Sequence, residues 1–518
     1  MPTRRFKGLA VLAVAAAVVA VIATSAYGGA KTNPIIIDGS TGTVVNIDPA
    51  NEYDYDSFTV DLNIFQGLYG FPTNATLQPV LATGCTHSSD LKTWTCSLRH
   101  NVHFSNGDLM TSADVKYSFD RVQKIQGDQG IYTLLSYLKS TTTSGAYTVV
   151  FHLTNPDSIW PYILSTNAGY IVDHKTFPSN AILANTDTSH MIGTGPYVLT
   201  KFTAGAGGQA VFGLNSHYWG TKPANGGLII NYYSSSATMK LDLQNKTLDM
   251  AFQTFDPTEI AAMKNNTNLA VHTGNGVVIR YLVFNVKRAP FNKLGVRKAI
   301  AYLMPRQRIA TDYHHTVSPL YSMVPKGLPG QTDAFKTLYG SSPNLTKAKA
   351  AMKAAGVKTP LAITLWYTPS HYGSFSANEY ADIQRALNNS GLFKVTLKTA
   401  EWAQYSGALG KVYGGFQLGW FPDYPDADDY TVSFYQTGSF FSNGYSSTQM
   451  DSLIQKERAS TGTTRYNYLK QIQTLGAKDV PTIPYWQGNM VAVSQKNVLG
   501  IGKTLDAAFY MRFWKLSK

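Results

Sequence analysis

The sequence predicts a mixed α/β fold divided into two or three domains. Helix and strand patterns alternate: "PNLTKAKAAMKAAGV" indicates a helix closed by Gly356, and "LAITLWY" after it indicates a strand. A second helix and strand follow in "YADIQRALNNSGLFKVTLKTA". The chain has 518 residues, of which 44% are hydrophobic, so it is long enough to bury more than one core.

The N-terminus has the pattern of a secretory signal peptide. A basic start precedes an unbroken apolar run over residues 9–23, and small residues suited to cleavage continue to Ala30. We expect residues 1–30 to be a signal peptide, cleaved after Ala26 or Ala30. The alternative is an uncleaved anchor over residues 9–26. No cysteine follows the apolar run, so no lipid anchor is expected, and the mature chain is predicted to be periplasmic, secreted or held at the cell surface.

The first mature segment predicts β-structure followed by a helix with the apolar stripe Val60, Ile64 and Leu68. The two cysteines, Cys85 and Cys96, then bracket the polar, turn-like "THSSDLKTWT". In an oxidising compartment this spacing predicts a disulfide across a short hairpin, with free thiols as the alternative. Two cysteines are too few for a cysteine-rich zinc site.

A capped helix is predicted in "VHFSNGDLMTSADVKYSFDRV". The Asn-Gly pair favours a turn, and Thr111 can cap a helix that begins near Ser112, with Asp114 completing a capping box. Apolar residues then recur at helical spacing. After this helix, the alternation of apolar residues and the β-branched side chains in "YTVVFHLTNP" predict a strand.

A glycine cluster at residues 205–208 lies between two strand patterns, residues 197–202 and 210–214. The pattern predicts a β-hairpin. A phosphate-binding loop is the rival interpretation, but no Gly-Lys-Ser/Thr and no following helix support it. Further along, "YLVFNVKRAPFNKLGVRKAIAYLMPRQRIA" predicts a strand followed by a helix.

The segment "GWFPDYPDADDY", residues 419–430, crowds four aspartates among aromatic side chains. A carboxylate held among aromatic rings suits an ammonium ligand, because desolvation strengthens the pairing of opposite charges. A solvated turn and a calcium loop are the alternatives. The EF-hand pattern, with its glycine and downstream glutamate, is absent.

Four of these segments resemble the bacterial extracellular solute-binding proteins of family 5, the dipeptide-, oligopeptide- and nickel-binding group. They are the capped helix, the hairpin with its flanking "GTGPY" and "NSHYWG", the strand and helix after residue 281, and the aspartate-rich loop. They occur in the family's order. One departure is Lys-Leu-Gly at 293–295, where an acidic residue commonly precedes the Val-Arg pair.

The resemblance implies a two-lobed periplasmic-binding-protein-like clamp (type II, cluster C) with an extra inserted domain. We expect one discontinuous lobe from residues 31–70, 193–285 and 490–518. Residues 71–192 are expected to form the extra domain, and residues 286–489 the opposing lobe.

The resemblance also implies which residues bind the ligand. In peptide-binding members, the aspartate three residues after the tryptophan of the "GW" element receives the ligand's α-amino group, and this residue is Asp423 here. Trp402 matches a tryptophan that lines the ligand cavity in oligopeptide-binding members, and Trp420 and Tyr424 lie on either side of Asp423 in the loop. The alternative for Trp402 and Trp420 is that they are core residues without a role in binding. Some oligopeptide-binding members carry an arginine at the position of Gln417, so one possible carboxylate anchor is missing.

The expected function is that of the substrate-binding component of an ABC importer, which captures a peptide or similar solute and delivers it to permease subunits. No catalytic motif is visible, so no enzyme activity and no cofactor or metal are expected; the alternative is a secreted hydrolase of peptides or glycans. The cargo stays open among peptides, oligosaccharides, opines and nickel chelates. The basic residues behind the net charge of +13 are scattered along the chain, so nucleic acid is not an expected partner. The protein is expected to be a monomer.

Overall fold

Four β-sheets, with helices packed around the larger ones, make up the described part of the chain. This computed structural model describes residues 33–253, 255–369, 371–373 and 375–518. The predicted signal peptide lies outside these residues. Among them, no helix has the length and apolar character needed to cross a membrane. The mixture of helices and strands confirms the predicted α/β class.

The strands of the described residues are, in chain order, β1 (Ile36–Ser40), β2 (Tyr69–Gly70), β3 (Gln78–Pro79), β4 (Ala82–His87), β5 (Thr93–Leu98), β6 (Leu138–Thr143), β7 (Thr148–Leu153), β8 (Tyr197–Thr203), β9 (Gln209–Leu214), β10 (Leu228–Tyr232), β11 (Met250–Phe252), β12 (Leu269–Gly274), β13 (Ile279–Phe284), β14 (Val317–Pro319), β15 (Leu361–Tyr367), β16 (Phe393–Thr399), β17 (Gly415–Trp420), β18 (Thr482–Gly488) and β19 (Met490–Gln495).

The α-helices of the same residues are α1 (Tyr55–Leu62), α2 (Ser112–Ile125), α3 (Trp160–Ile163), α4 (Ser236–Gln244), α5 (Pro257–Met263), α6 (Leu294–Leu303), α7 (Arg306–Asp312), α8 (Ala334–Tyr339), α9 (Leu345–Ala354), α10 (Ser376–Asn389), α11 (Trp402–Ala408), α12 (Val432–Tyr435), α13 (Thr448–Arg458) and α14 (Gly462–Asp479).

The seven-stranded sheet has the order β12-β19-β11-β1-β10-β9-β8. Strand β1 runs parallel to both of its neighbours, and the other pairs are antiparallel. The hairpin β8–β9 confirms the strands predicted on either side of the glycine cluster, which forms its turn. The sheet combines strands from the start, the middle and the end of the chain.

The six-stranded sheet has the order β14-β18-β13-β17-β15-β16. Strand β13 is buried along its whole length and pairs antiparallel with β17 and β18. It therefore belongs to this sheet, whereas residues 193–285 are expected from the sequence to belong to the discontinuous lobe. Strand β15 runs parallel to both β16 and β17. These three strands therefore end at the same edge of the sheet, and the segments that follow them lie together there.

Two local predictions have different outcomes. Helix α2 begins at Ser112, and Thr111 and Asp114 form the predicted capping box. The predicted stripe of Val60, Ile64 and Leu68 is wrong as a single helical face, because α1 already ends at Leu62. The stripe residues are nevertheless fully buried, since the irregular chain after α1 packs its apolar side chains into the core.

The four-stranded sheet, in the order β4-β5-β7-β6, carries the disulfide. Cys85 and Cys96 face each other across the β4–β5 hairpin, with Cα atoms 4.0 Å apart, and their sulfur atoms are bonded. This bond confirms the predicted pairing and rules out the alternative of free thiols.

Replacing both cysteines by serine is expected to lower the free energy of unfolding by about 3 kcal/mol, because the bond closes a short loop in the unfolded chain. Urea denaturation of the variant measures the change, and reduced wild-type protein is the control that leaves the sequence intact. The two should lose the same stability. A reduced protein as stable as the oxidised one would contradict this expectation.

Candidate functional site

The candidate site lies at the edge where strands β15, β16 and β17 end. In sheets with parallel strands, ligands bind beyond the carboxyl ends of those strands. Trp402 begins the helix after β16, and Asp423 lies in the loop after β17. The strand directions thus bring to one edge two of the residues that the sequence predicts to bind ligand.

Asp423 is half-buried in this loop. Its Oδ2 accepts a hydrogen bond of 2.8 Å from the hydroxyl of Tyr53, which comes from the segment just before α1. A second hydrogen bond joins the carboxyl groups of Asp423 and Asp429. Burial raises the pKa of Asp423 to about 6, and the two hydrogen bonds limit the rise. Asp423 is therefore ionised at neutral pH.

Asp429 is the more deeply buried carboxyl group of this pair. It is buried, and burial together with the charge of Asp423 raises its pKa well above the ordinary value. The indole N–H of Trp420 donates to its Oδ2 at 2.8 Å. Asp423 is therefore the more accessible carboxyl group of the pair, and Asp429 is held beneath it by Trp420.

Aromatic rings from distant segments cluster at Phe421, two residues before Asp423. The ring of Phe421 lies 6.0 Å from that of Tyr55 and 6.2 Å from that of Phe509, which it faces in a stacked arrangement. Tyr55 and Phe509 are themselves 4.8 Å apart, measured between ring centroids. Phe421 keeps 43% of its surface exposed. An ionised carboxylate beside accessible rings is suited to binding an ammonium group.

Trp402 belongs to a second aromatic group at the same edge. Its ring stacks on His371 at 3.6 Å and lies 5.6 Å from the ring of Tyr372. Burial lowers the pKa of His371 to about 4, and the positive charge of Arg280 acts in the same direction. This imidazole is therefore neutral at physiological pH and presents a flat, uncharged face to Trp402.

Tyr424 points away from the carboxylate pair. Its side chain is buried in the core that contains the four-stranded sheet, 6.1 Å from the ring of Tyr162, and its hydroxyl donates to Asp428 at 2.9 Å. Only 3% of its surface is exposed. A role in binding ligand stays a prediction for Tyr424, and in this structure it packs against a buried ion pair.

The other two aspartates of the loop are held by arginines. Asp428 is fully buried and accepts hydrogen bonds of 2.7 and 3.1 Å from Arg458. Burial alone would raise the pKa of Asp428, but the charge and hydrogen bonds of Arg458 outweigh it and lower the pKa to about 2. Asp426 pairs with Arg465 in the same way. The alternatives of a solvated turn and a calcium loop are therefore wrong for this pair of aspartates, because their oxygens already have cationic partners.

One group of three potential metal ligands occurs among the described residues: Asp114, Asp173 and His174. Both oxygens of Asp114 are already used. One accepts from the backbone N–H of Thr111, and the other contacts Nδ1 of His174 at 2.6 Å. The group therefore stabilises the start of α2, and no observation connects it with a metal ion.

Residues 76–442 match the sequence family described as bacterial extracellular solute-binding proteins, family 5 Middle. The chain belongs to this family. The match covers most of the sequence and includes the loop with Asp423. The identification made from the four motifs is thereby confirmed. The members of this family are substrate-binding proteins of ABC importers that act with permease subunits.

Similar proteins cover nearly the whole length of this solute-binding protein. A probable D,D-dipeptide-binding periplasmic protein of Escherichia coli is 25% identical over 90% of this chain and 91% of its own length. A glutathione-binding protein of Salmonella choleraesuis is 26% identical over 97% of both chains. The periplasmic binding protein DppA of Helicobacter pylori, solved with the peptide STSA, superposes with a TM-score of 0.78 at 21% identity over 93% and 98% of the two chains. The predicted two-lobed fold is confirmed, and nothing in these comparisons supports the hydrolase alternative.

Gln417 has a structural role in this member of the family. Its side chain is fully buried, and its Nε2 donates to Glu379 at 2.9 Å. Tyr485 and Trp486 also donate to this carboxylate, at 2.7 and 2.8 Å. Position 417 therefore belongs to the core of the six-stranded sheet and supplies no anchor for a ligand carboxylate.

Sequence reasoning missed Tyr53 and Asp429. Tyr53 contacts Asp423 from 370 positions away, and no local pattern reports such a contact. Asp429 was visible only as one of four similar aspartates. The tryptophan nine residues before it, which donates to it here, is the one signal that could have singled it out.

Proposed function

We propose that this protein captures a short peptide with a free amino group between its two lobes and delivers it to the permease of an ABC importer. The observation that carries the proposal is the ionised carboxylate of Asp423 among aromatic rings, at the edge where parallel strands end. The ligand's ammonium group would replace the contact that Tyr53 makes with Asp423. The similar proteins named for D,D-dipeptides, for glutathione and for the peptide STSA support a peptide cargo.

We further propose that the seven-stranded and six-stranded sheets are the centres of the two lobes, and that residues 71–192 form the extra domain. Strands β1, β8 to β12 and β19 share one sheet, in keeping with a lobe built from discontinuous segments. Because β13 pairs in the other sheet, we place the boundary near residues 275–278 instead of after 285. The chain would return from the six-stranded to the seven-stranded sheet at Asn489, between β18 and β19.

The proposed action is mechanical, and the protein returns its ligand unchanged. In this division Tyr53 and Phe509 would belong to the discontinuous lobe, and Asp423 and Phe421 to the opposing one. The contacts between these residues are in keeping with a closed arrangement. A ligand can stabilise closure only by binding the closed state more tightly than the open state. A cation buried between Asp423 and the rings of both lobes would provide that difference.

A peptide pool tests this proposal. The purified protein is mixed with di- to tetrapeptides, and the captured species are identified by native mass spectrometry. Peptides with a free amino group should be retained intact, whereas their N-acetyl forms, which lack the ammonium charge, should not. Recovery of fragments would favour a hydrolase.

We expect the captured peptide to raise the thermal midpoint and to reduce the radius of gyration measured by X-ray scattering. Ligand at 100 times its Kd stabilises the folded state by about 2.7 kcal/mol, and closure of the lobes makes the particle more compact. The N-acetyl peptide is the matched control. A scattering curve that is the same with and without saturating peptide would contradict closure.

A further inference from the structure

Arg280 lies beside the "GW" element at the ligand-binding edge. It is the second residue of β13 and is paired with Gly419 of β17 and Trp486 of β18. Its guanidinium lies against the backbone of Gly419: a methyl group at position 419 would be 1.8 Å from Nη1. Glycine at this position therefore makes the room that the arginine side chain occupies.

The guanidinium of Arg280 is buried without a carboxylate partner among the described residues. Only 9% of the residue is exposed, and its Nε has no hydrogen-bond acceptor. The one hydrogen bond of the side chain runs from Nη2 to the carbonyl oxygen of Tyr372, at a long 3.4 Å. Otherwise the cation rests on aromatic faces, 4.0 Å from the ring of Tyr372 and 4.9 Å from that of Trp486.

Other buried arginines of this protein are better satisfied. Four of them form ion pairs with an aspartate at 3.0 Å or less: Arg121, Arg458, Arg465 and Arg512. Two more, Arg297 and Arg306, donate to two or three carbonyl oxygens each. Arg280 alone among these seven combines burial with a single weak hydrogen bond. The nearby carboxylate of Glu379 makes no ion pair with it and is taken up by neutral donors.

An unpaired guanidinium in such a place is suited to an external anion. Burial of a cation without a partner is costly, and a carboxylate that reaches it gains two parallel hydrogen bonds to the planar fork. Cation–π contacts with Tyr372 hold the fork in place, and Tyr372 packs against Trp402 of the candidate site. We propose that Arg280 binds the carboxylate group of the captured peptide, an inference that rests on the proposed function.

The position of Arg280 also limits the length of the cargo. Gly419, on which its side chain rests, precedes the ammonium anchor Asp423 by four residues, so the two Cα atoms are at most about 14 Å apart. Peptides of about two to four residues span such a distance. The inferred cargo is therefore a short peptide with both termini free, held by Asp423 at one end and by Arg280 at the other.

The test compares free acids with amides. Wild-type protein is offered an equimolar pool of di- to tetrapeptides with free amino groups, each supplied as the free acid and as its C-terminal amide. Native mass spectrometry then gives the ratio of bound acid to bound amide. We expect the wild type to prefer the acids by about 10- to 100-fold, the range of a hydrogen-bonded charge. Arg280→Gln should bring this ratio close to one, whereas the exposed Arg288→Gln should leave it unchanged.

The outcomes separate the two proposals. If the wild type captures acids and amides equally well, Arg280 is no carboxylate anchor, and the proposed capture of peptides stands. If Arg280→Gln keeps the wild-type preference, the inference is likewise overturned. If the wild type captures no peptide at all, the proposed function fails and the inference falls with it. Should Arg280→Gln fail to fold, the ratio measured on the wild type still decides, and Arg280→Lys, which keeps the charge but loses the fork, should show an intermediate ratio.

Discussion

Asp423→Asn is expected to weaken the binding of a captured peptide by about 30- to several thousand-fold, the range found when one partner of a buried charge pair is removed. The substitution keeps the shape of the side chain and its contact with Tyr53, but the ligand ammonium is left without an opposite charge. Calorimetry with a peptide identified from the pool measures the loss. The folded state should be affected little, because the side chain is only half-buried.

The same anchor predicts how affinity depends on pH. Burial raises the pKa of Asp423 from its ordinary value of 3.8 to about 6, so the carboxylate gains a proton as the pH falls below 6. Wild-type affinity should therefore decrease between pH 7 and pH 5, whereas the affinity of Asp423→Asn should stay level. The stability of the unliganded protein changes in the opposite sense. The folded state binds this proton more tightly than the unfolded chain, so the contribution is present below pH 3.8 and is lost as the pH rises through 6.

The exposed Asp128→Asn is the matched control, since it removes the same charge from a solvated position in the loop after α2. Its effect on affinity should be small. If Asp423→Asn binds as tightly as Asp128→Asn over this pH range, Asp423 is no ammonium anchor and the cargo is held by other groups.

Asp428→Asn is expected to lower the free energy of unfolding by about 3 to 5 kcal/mol, because it leaves a buried guanidinium without its carboxylate. Arg458 would keep only the more distant Asp157, at 3.8 Å. The single amide oxygen that remains would have to accept from both Arg458 and Tyr424, which the two carboxylate oxygens serve together here. Urea denaturation followed by circular dichroism measures the change. This aspartate is thus a determinant of stability, unlike the solvated turn residue that its sequence context suggests.

The exposed ion pair between Lys116 and Asp120 on α2 provides the comparison. Asp120→Asn removes a carboxylate of the same kind from a solvated pair and should change the stability by less than about 1 kcal/mol. Equal effects of Asp120→Asn and Asp428→Asn would show that the buried pair contributes no more than a surface one.

Local patterns predicted much of this fold because their causes are local. The capping box that starts α2, the β8–β9 hairpin and the disulfide each depend on residues at most 17 positions apart. The early end of α1 shows the limit of periodicity, since apolar spacing continued where the backbone left the helix.

The site was predictable only in part, for the same reason. Asp423 and Trp402 could be named from motifs that resemble a family. The hydrogen bond from Tyr53 and the unpaired state of Arg280 depend on strand pairing and on contacts between distant segments. The four aspartates look alike in sequence. Their separation into the neighbouring pair Asp423 and Asp429 and two arginine-bound residues follows from burial and from which cations α13 and α14 bring to them.

The strand order of the seven-stranded sheet links the integrity of that sheet to the last part of the chain. Strand β19 lies between β11 and β12 and pairs antiparallel with both, yet it comes more than 200 residues after them. A chain truncated before Met490 would leave both strands with open edges, and open edges are templates for aggregation. During synthesis β11 and β12 lack this neighbour until the final segment has emerged, so this sheet is completed only after nearly the whole polypeptide exists.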